Sequence, residues 1–273
     1  MIVVYALTMK QADRKKAVFL DIDGTLFIRG QGPFKDDLDA MKKAALKGHY
    51  LFLNTGRSYA NIHKVLLELG LFKGIVAGCG AHILFALPGD GRSYETFYDK
   101  WISEKNVRKL IGWYKKQAKC CILEGHLDCY VVNRSLWPGI GKNVITIKSF
   151  AEIKRKNPGE KITKFTLEGN ASEDERSFLE PLFSLHCFPN YSEGIVKGES
   201  KGKAIEIVLE KLGLRREDSI AIGDSANDLD MLRSAGLGIA MGNAPDEIKA
   251  AAGAVTGECG SGGVAQALKK YVI

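Results

Sequence analysis

The sequence predicts an α/β fold, in which a parallel sheet covered by helices is split along the chain and carries an α+β insertion. Three observations predict it. Apolar runs of strand length alternate with helical periodicity through the first third of the chain, the same rhythm returns after Lys201, and the pattern between them is different. Residues 1–83 and 196–273 are expected to form one core, and residues 84–195 the inserted unit.

In the first segment Ala17 to Ile22 reads as extended, Lys35 to Lys47 as a helix stopped by Gly48, and His49 to Asn54 as extended again. Ser58 can cap a helix running to Leu69, with Gly70 as its end, and Gly74 to Ala77 is a short apolar strand. Pro88-Gly89-Asp90-Gly91 is a clear turn. Beyond it come a helix at Ser103 to Ala118 and strands at Cys120 to Leu123 and Leu127 to Val132. A strand at Lys161 to Leu167, a helix at Ser172 to Ser184 and a strand near Gly194 to Val196 complete the insertion. The last segment reads helix Lys203 to Leu212, strand Ser219 to Ile222, helix Ala226 to Ser234, strand Leu237 to Ala240, then helices Pro245 to Ala252 and Val264 to Tyr271.

Composition narrows the class. At 273 residues and 45% hydrophobic content the chain can bury a large core. No stretch approaches the roughly 20 apolar residues of a bilayer span. The basic residues Lys10, Arg14, Lys15 and Lys16 follow the apolar opening Met1 to Leu7, the reverse of a secretory signal, so a cytoplasmic protein is expected. Residues 1–8 read as a loose extension, with Met9 an alternative start. The net charge of +7 is spread along the chain without aromatic–basic interleaving, which argues against a nucleic-acid partner, although a positive field helps draw in a small anion. The six cysteines and five histidines lack metal-ligand spacing. Gly139-Ile140-Gly141-Lys142 lacks the earlier glycine of a phosphate-binding loop and reads as a turn, and Trp101, Trp113 and Trp137 could line a substrate mouth but read first as packing within the insertion.

The chemistry-bearing residues stand where strands end, which is where open parallel sheets bind ligands. The run Ala17 to Leu20 delivers Asp21-Ile22-Asp23-Gly24-Thr25-Leu26, two carboxylates on one face of a strand end, whose mutual repulsion calls for a cation or a shared proton. Magnesium suits all-oxygen ligands and substrate phosphates. The second strand ends in Asn54-Thr55-Gly56-Arg57, where Thr55 could either cap the next helix or hold a phosphate beside free N–H groups. Gly223-Asp224-Ser225-Ala226-Asn227-Asp228 follows another strand, so Asp224 and Asp228 can face one cation, though Asp228 is equally well placed as a charge at a helix start. Lys201, at a helix opening beside Gly202, is electrostatically misplaced unless an anion lies near it.

These four segments, in this order, resemble the haloacid dehalogenase superfamily, and the insertion between the second and third looks like the large α+β cap of its Cof-type phosphatases. Ala240-Met241-Gly242-Asn243-Ala244 is similar to that group's usual continuation. The resemblance implies a Rossmann-like, doubly wound core with an inserted cap, and phosphoryl transfer from a small phosphorylated metabolite, sugar phosphates first, through an aspartyl-phosphate. It implies Asp21 as nucleophile and Asp23 as acid and base. Magnesium would be held by Asp21, the main-chain carbonyl of Asp23, and Asp224, with Asp228 supporting. Thr55 and Lys201 would hold phosphoryl oxygens, Asn227 would position phosphate or Lys201, Gly56 would lend its N–H, and Arg57 would bind or brace. A phosphomutase, or a phosphate-binding sensor without activity, would use the same fold. Cys79-Gly80-Ala81 departs from the group's common Asn-Gly-Ala at the cap hinge. The physiological substrate and the oligomeric state, a homo-oligomer included, stay open.

Overall fold

The structure is a computed structural model, and it describes residues 14–28, 30–188 and 190–273. The reading of residues 1–8 as an extension, with Met9 as an alternative start, lies outside the described residues. No described helix is long and apolar enough to cross a membrane.

Eight strands form the first sheet: β1 (Ala17–Leu20), β2 (Tyr50–Asn54), β3 (Gly74–Ala77), β4 (His82–Ala86), β5 (Tyr94–Asp99), then, after a second sheet, β12 (Ser219–Gly223), β13 (Leu237–Ala240) and β14 (Ala254–Val255). Their order is β14-β13-β12-β1-β2-β3-β4-β5, parallel through β3 and antiparallel from β3 onward. Burial on both faces explains the unbroken apolar strands. Val18 and Leu20 pack with Leu51, Leu53, Ile220 and Ile222 on one face, toward the helices Lys35–Leu46 and Gly263–Tyr271. Ala17 and Phe19 join Phe52 and Ala221 on the other, under the helices Lys201–Leu212 and Leu229–Ser234.

The intervening strands β6 (Cys121–Gly125), β7 (Cys129–Val132), β8 (Ile145–Thr146), β9 (Ile162–Glu168), β10 (Phe183–Cys187) and β11 (Tyr191–Val196) form a second sheet in the order β10-β11-β9-β6-β7-β8. Alternation sorts its side chains. Leu123, Phe165 and Leu167 pack with Val107, Leu110 and Tyr114 of the helix Glu104–Lys116, while Ile122, Glu124, Lys164 and Thr166 face a cleft against the first sheet.

Several expectations shift. The expected start of the insertion at residue 84 falls inside β4, because Pro88-Gly89-Asp90-Gly91 turns a hairpin that extends the first sheet to Asp99. The second sheet accordingly begins only at Cys121. The helix expected from Ser58 to Leu69 is broken into a single 3₁₀ turn (Tyr59–Asn61) and a short helix (Lys64–Leu67). Ser58 does not cap, since its hydroxyl donates to Glu124 across the cleft at 3.3 Å, and His63 stacks on Phe27. The helix begun at Ser172 stops at Leu179, and Phe183–Cys187 pairs with β11 as a strand. Trp113 does pack inside the unit, on Phe178, but Trp137 lines the cleft and Trp101 is 46% exposed beneath Lys161.

His82 stands where the two sheets meet, its ring stacked on that of His126 with centroids 3.7 Å apart. Nε2 of His82 bonds Thr96 Oγ1, and Nδ1 is buried with no partner among the described residues. Burial, with the His126 and Lys161 charges, pushes its pKa from the ordinary 6.5 down to about 3. A histidine depressed in the fold contributes its stability above 6.5 and loses it as pH falls toward 3. The stability advantage of wild type over His82→Gln should therefore shrink by about 2 kcal/mol between pH 6.5 and 5, as read by denaturant titration at each pH.

Candidate active site

Asp21 directly follows β1, and its N–H donates to Ile222 O of β12, so the carboxylate emerges between the two central strands. The following loop is tight: the N–H groups of Leu26 and Phe27 both reach back to Ile22 O, and Gly24 adopts a φ of +85°. A Cβ on Gly24 would stand 2.1 Å from Asp224 Oδ2, so glycine is required for both the turn and the approach of that carboxylate. Thr25 Oγ1 donates to Asp224 Oδ1 at 3.4 Å, and Asn243 Nδ2 bonds Gly24 O.

Lys201 is 1% exposed, and its Nζ donates to Asp21 Oδ1 (2.7 Å), Asp228 Oδ1 (2.6 Å) and Asn227 Oδ1 (3.3 Å). The electrostatic misfit read from the sequence is thus resolved by the protein's own carboxylates. Its helix is started by Ser200, which caps Lys203 N, and the Lys201 carbonyl accepts from Asn54 Nδ2 at the end of β2. Asp228 Oδ2 accepts from the N–H groups of Asp224 and Ser225, which folds the loop after β12 back onto the site.

Carboxylate oxygens of Asp21, Asp224 and Asp228 lie within 4.8 Å of one another. Burial and the Asp228 charge raise the Asp21 carboxyl well above its usual range against the opposing pull of Lys201. The same two causes push Asp224 up to about 7. This crowded, oxygen-only donor set is what a hard divalent cation would relieve.

Asp23 is outside that group. Its side chain, 56% exposed, is gripped by Arg57 through Nε (2.6 Å) and Nη2 (2.7 Å). Burial pushes its pKa up, but the hydrogen bonds and charge of Arg57 outweigh this and hold it below the carboxylate range. Thr55, nearly wholly buried, bonds Arg57 N through Oγ1, and with Gly56 it lines the same cleft as Asp21 and Asn227. Cys79 N donates to Thr55 O from a left-handed turn, so this residue braces the loop from below, and burial pushes its thiol up to about 12.

The cleft has a volume of about 1020 Å³ and is roofed by the second sheet. Segment 139–142 joins two turns, closed by Ile140 N to Trp137 O and by Val144 N to Gly141 O, and it lines this cleft. Sequence reasoning did not single out Asn54, nor Asn243 as a side-chain anchor, nor Glu124, Lys164 and Glu193 in the roof. The one signal for the roof residues was a charge interrupting an apolar strand, as in Ile162-Thr163-Lys164-Phe165.

A family model described as haloacid dehalogenase-like hydrolase matches residues 18–268. Over 263 residues the chain is 28% identical to the 5-amino-6-(5-phospho-D-ribitylamino)uracil phosphatase YcsE of Bacillus subtilis, covering 94% of this chain and 96% of that protein. Over 279 residues it is 26% identical to the pyridoxal phosphate phosphatase YbhA of Escherichia coli, covering 94% and 99%. Among solved structures, a sugar phosphatase of subclass IIB is similar at a TM-score of 0.78 and 27% identity, covering 95% of this chain and all 100% of that one. The doubly wound sheet, the acidic strand ends gathered around one lysine, and a match over nearly all the described chain agree: the protein belongs to the haloacid dehalogenase superfamily, as a phosphatase of the Cof type.

Proposed function

We propose that the chain hydrolyses phosphoric monoesters of small metabolites, sugar phosphates first, with magnesium and through an aspartyl-phosphate on Asp21. The observation that carries this reading is the meeting of Asp21 after β1, Asp224 and Asp228 after β12, and Lys201 at a helix start, with Asp21 opening into the roofed cleft. The names of the relatives, for sugar, ribitylaminouracil and pyridoxal phosphates, support a small phosphorylated metabolite.

In this reading an Asp21 carboxylate oxygen attacks phosphorus, the bond to the leaving oxygen breaks, and Asp23 gives that oxygen a proton. Water then attacks phosphorus, Asp23 takes the water's proton, and the bond to Asp21 breaks to release phosphate. Lys201 and Thr55 hold the phosphoryl oxygens, Gly56 adds an N–H, and Asn227 keeps Lys201 in place. Arg57 holds Asp23 ionised, the form that takes a proton from water, so acting as an acid requires Arg57 to move off that carboxylate. Magnesium would be held by Asp21, Asp224 and the main-chain carbonyl of Asp23, with Asp228 beside them, and when bound would neutralise charge on the phosphoryl group. The second sheet serves as a cap that limits the leaving group and excludes water.

The test is a panel of phosphorylated metabolites assayed for phosphate release with magnesium and with chelator. Release should fall at least about 100-fold in chelator. Chelator-insensitive release would reject the metal, and no release from any substrate would reject the activity.

A further inference from the structure

The second sheet turns three charged side chains into the cleft, and none belongs to the machinery above. Glu124 on β6 pairs directly across from Lys164 on β9, while Glu193 on β11 lies on the diagonal, opposite Thr166. All three are buried, at 5%, 3% and 8% exposure.

Lys164 is held by three neighbours. Its Nζ donates to the main-chain oxygen of Gly56 at 3.0 Å and to Glu193 Oε1, and stands 3.6 Å from Glu124 Oε1. Burial alone would lower its pKa, but the charges of Glu124 and Glu193 outweigh this and keep it protonated. Glu124 is equally satisfied, by Thr166 at 2.7 Å and by Ser58 and Asn61 of the core at 3.3 and 3.4 Å.

Glu193 differs. Lys164 takes Oε1, and no donor among the described residues reaches Oε2. That oxygen stands 3.8 Å from where a Cβ on Gly56 would lie, a point also 3.4 Å from Asn227 Nδ2. One acceptor of a trio with surplus negative charge is therefore left open beside the loop that carries Thr55 and Gly56.

We propose that Glu193 is the specificity-determining residue for the leaving group, accepting a hydrogen bond from a hydroxyl near the ester oxygen and excluding a carboxylate or second phosphate there. A hydroxyl can donate to the open oxygen, whereas an anion meets the net negative charge of two glutamates against one lysine in a largely buried wall. The substrate class is then a monophosphate of an uncharged polyol. This rests on the phosphatase reading above.

The test compares glycerol 3-phosphate with 3-phosphoglycerate, which differ by a hydroxymethyl group against a carboxylate, with acetyl phosphate as a reference lacking both. Wild type should favour glycerol 3-phosphate in kcat/KM by at least about 30-fold. Glu193→Gln, equal in shape, should cut that ratio at least about tenfold, mainly through KM for 3-phosphoglycerate. A wild-type ratio near one overturns the inference even if the variant does not fold, as does a folded variant with an unchanged ratio. If wild type fails on acetyl phosphate, on both esters and on the metabolite panel above, the phosphatase reading fails and this inference with it. Release from acetyl phosphate with a ratio near one sinks this inference alone.

Discussion

Asp21→Asn is expected to abolish phosphate release, by at least about 10⁴-fold in kcat, while leaving the protein as stable as before or more so when measured in chelator. The two outcomes share one cause. Burial and the Asp228 charge raise the Asp21 carboxyl, so its ionised form costs more in the folded state than in the unfolded one. A folded pKa above the unfolded one means stability rises as pH falls, so the Asp21 carboxyl opposes folding at pH 7. Asparagine removes that opposition and keeps the shape. Lys201 keeps Asp228 at 2.6 Å and Asn227 at 3.3 Å, so no buried cation is orphaned. Calorimetric melting in chelator beside a phosphate-release assay checks both halves. Residual turnover within a hundredfold of wild type would remove Asp21 as nucleophile, and a large fall in Tm would show the carboxylate to be structural.

The core of the site is readable in the sequence because electrostatics leaves few alternatives. Two acids at one strand end, two more after another strand, and a lysine at the wrong end of a helix are each unfavourable alone, and in the structure Lys201 bonds Asp21 and Asp228 at once. The doubly wound sheet is readable for a related reason, since β1, β2 and β12 are apolar on both faces and only burial between two helix layers accounts for that.

What is not readable depends on contacts between distant segments. Ser58 looks like a helix cap until Glu124, 66 positions away in the chain, takes its hydroxyl. Asp23 looks free to act until Arg57 closes on it. Glu124, Lys164 and Thr166 alternate with apolar residues as any solvent-facing strand would, and only the packing of the second sheet over Gly56 turns that face into a cleft wall. The hairpin of β4 and β5 is hidden by its turn, since a Pro-Gly-Asp-Gly run marks a domain junction and a hairpin end equally well.

Lys201→Met should produce the largest loss of stability of any single change at the site, about 3–5 kcal/mol, because it leaves Asp21 and Asp228 buried against each other without their cation. In a chain of this size that is a fall in Tm of roughly 10 °C. The methionine fills much of the lysine's volume, so the deficit is one of charge, and charge predicts how it can be reversed. With Lys201 gone, the one nearby group that lowers the Asp21 pKa most is lost, and the carboxyl rises further. Folded pKa above unfolded again means that protonation favours the fold, so the deficit should shrink as pH is lowered from 7 toward 5.5. Magnesium should shrink it too, and should raise the Tm of the variant by more than it raises that of wild type. Turnover should stay at least about 100-fold below wild type at saturating magnesium, since a lysine in this position stabilises charge that develops only during transfer. Thermal melts across pH and magnesium concentration separate the alternatives: a deficit indifferent to both would make Lys201 a packing residue and remove the electrostatic account of the site.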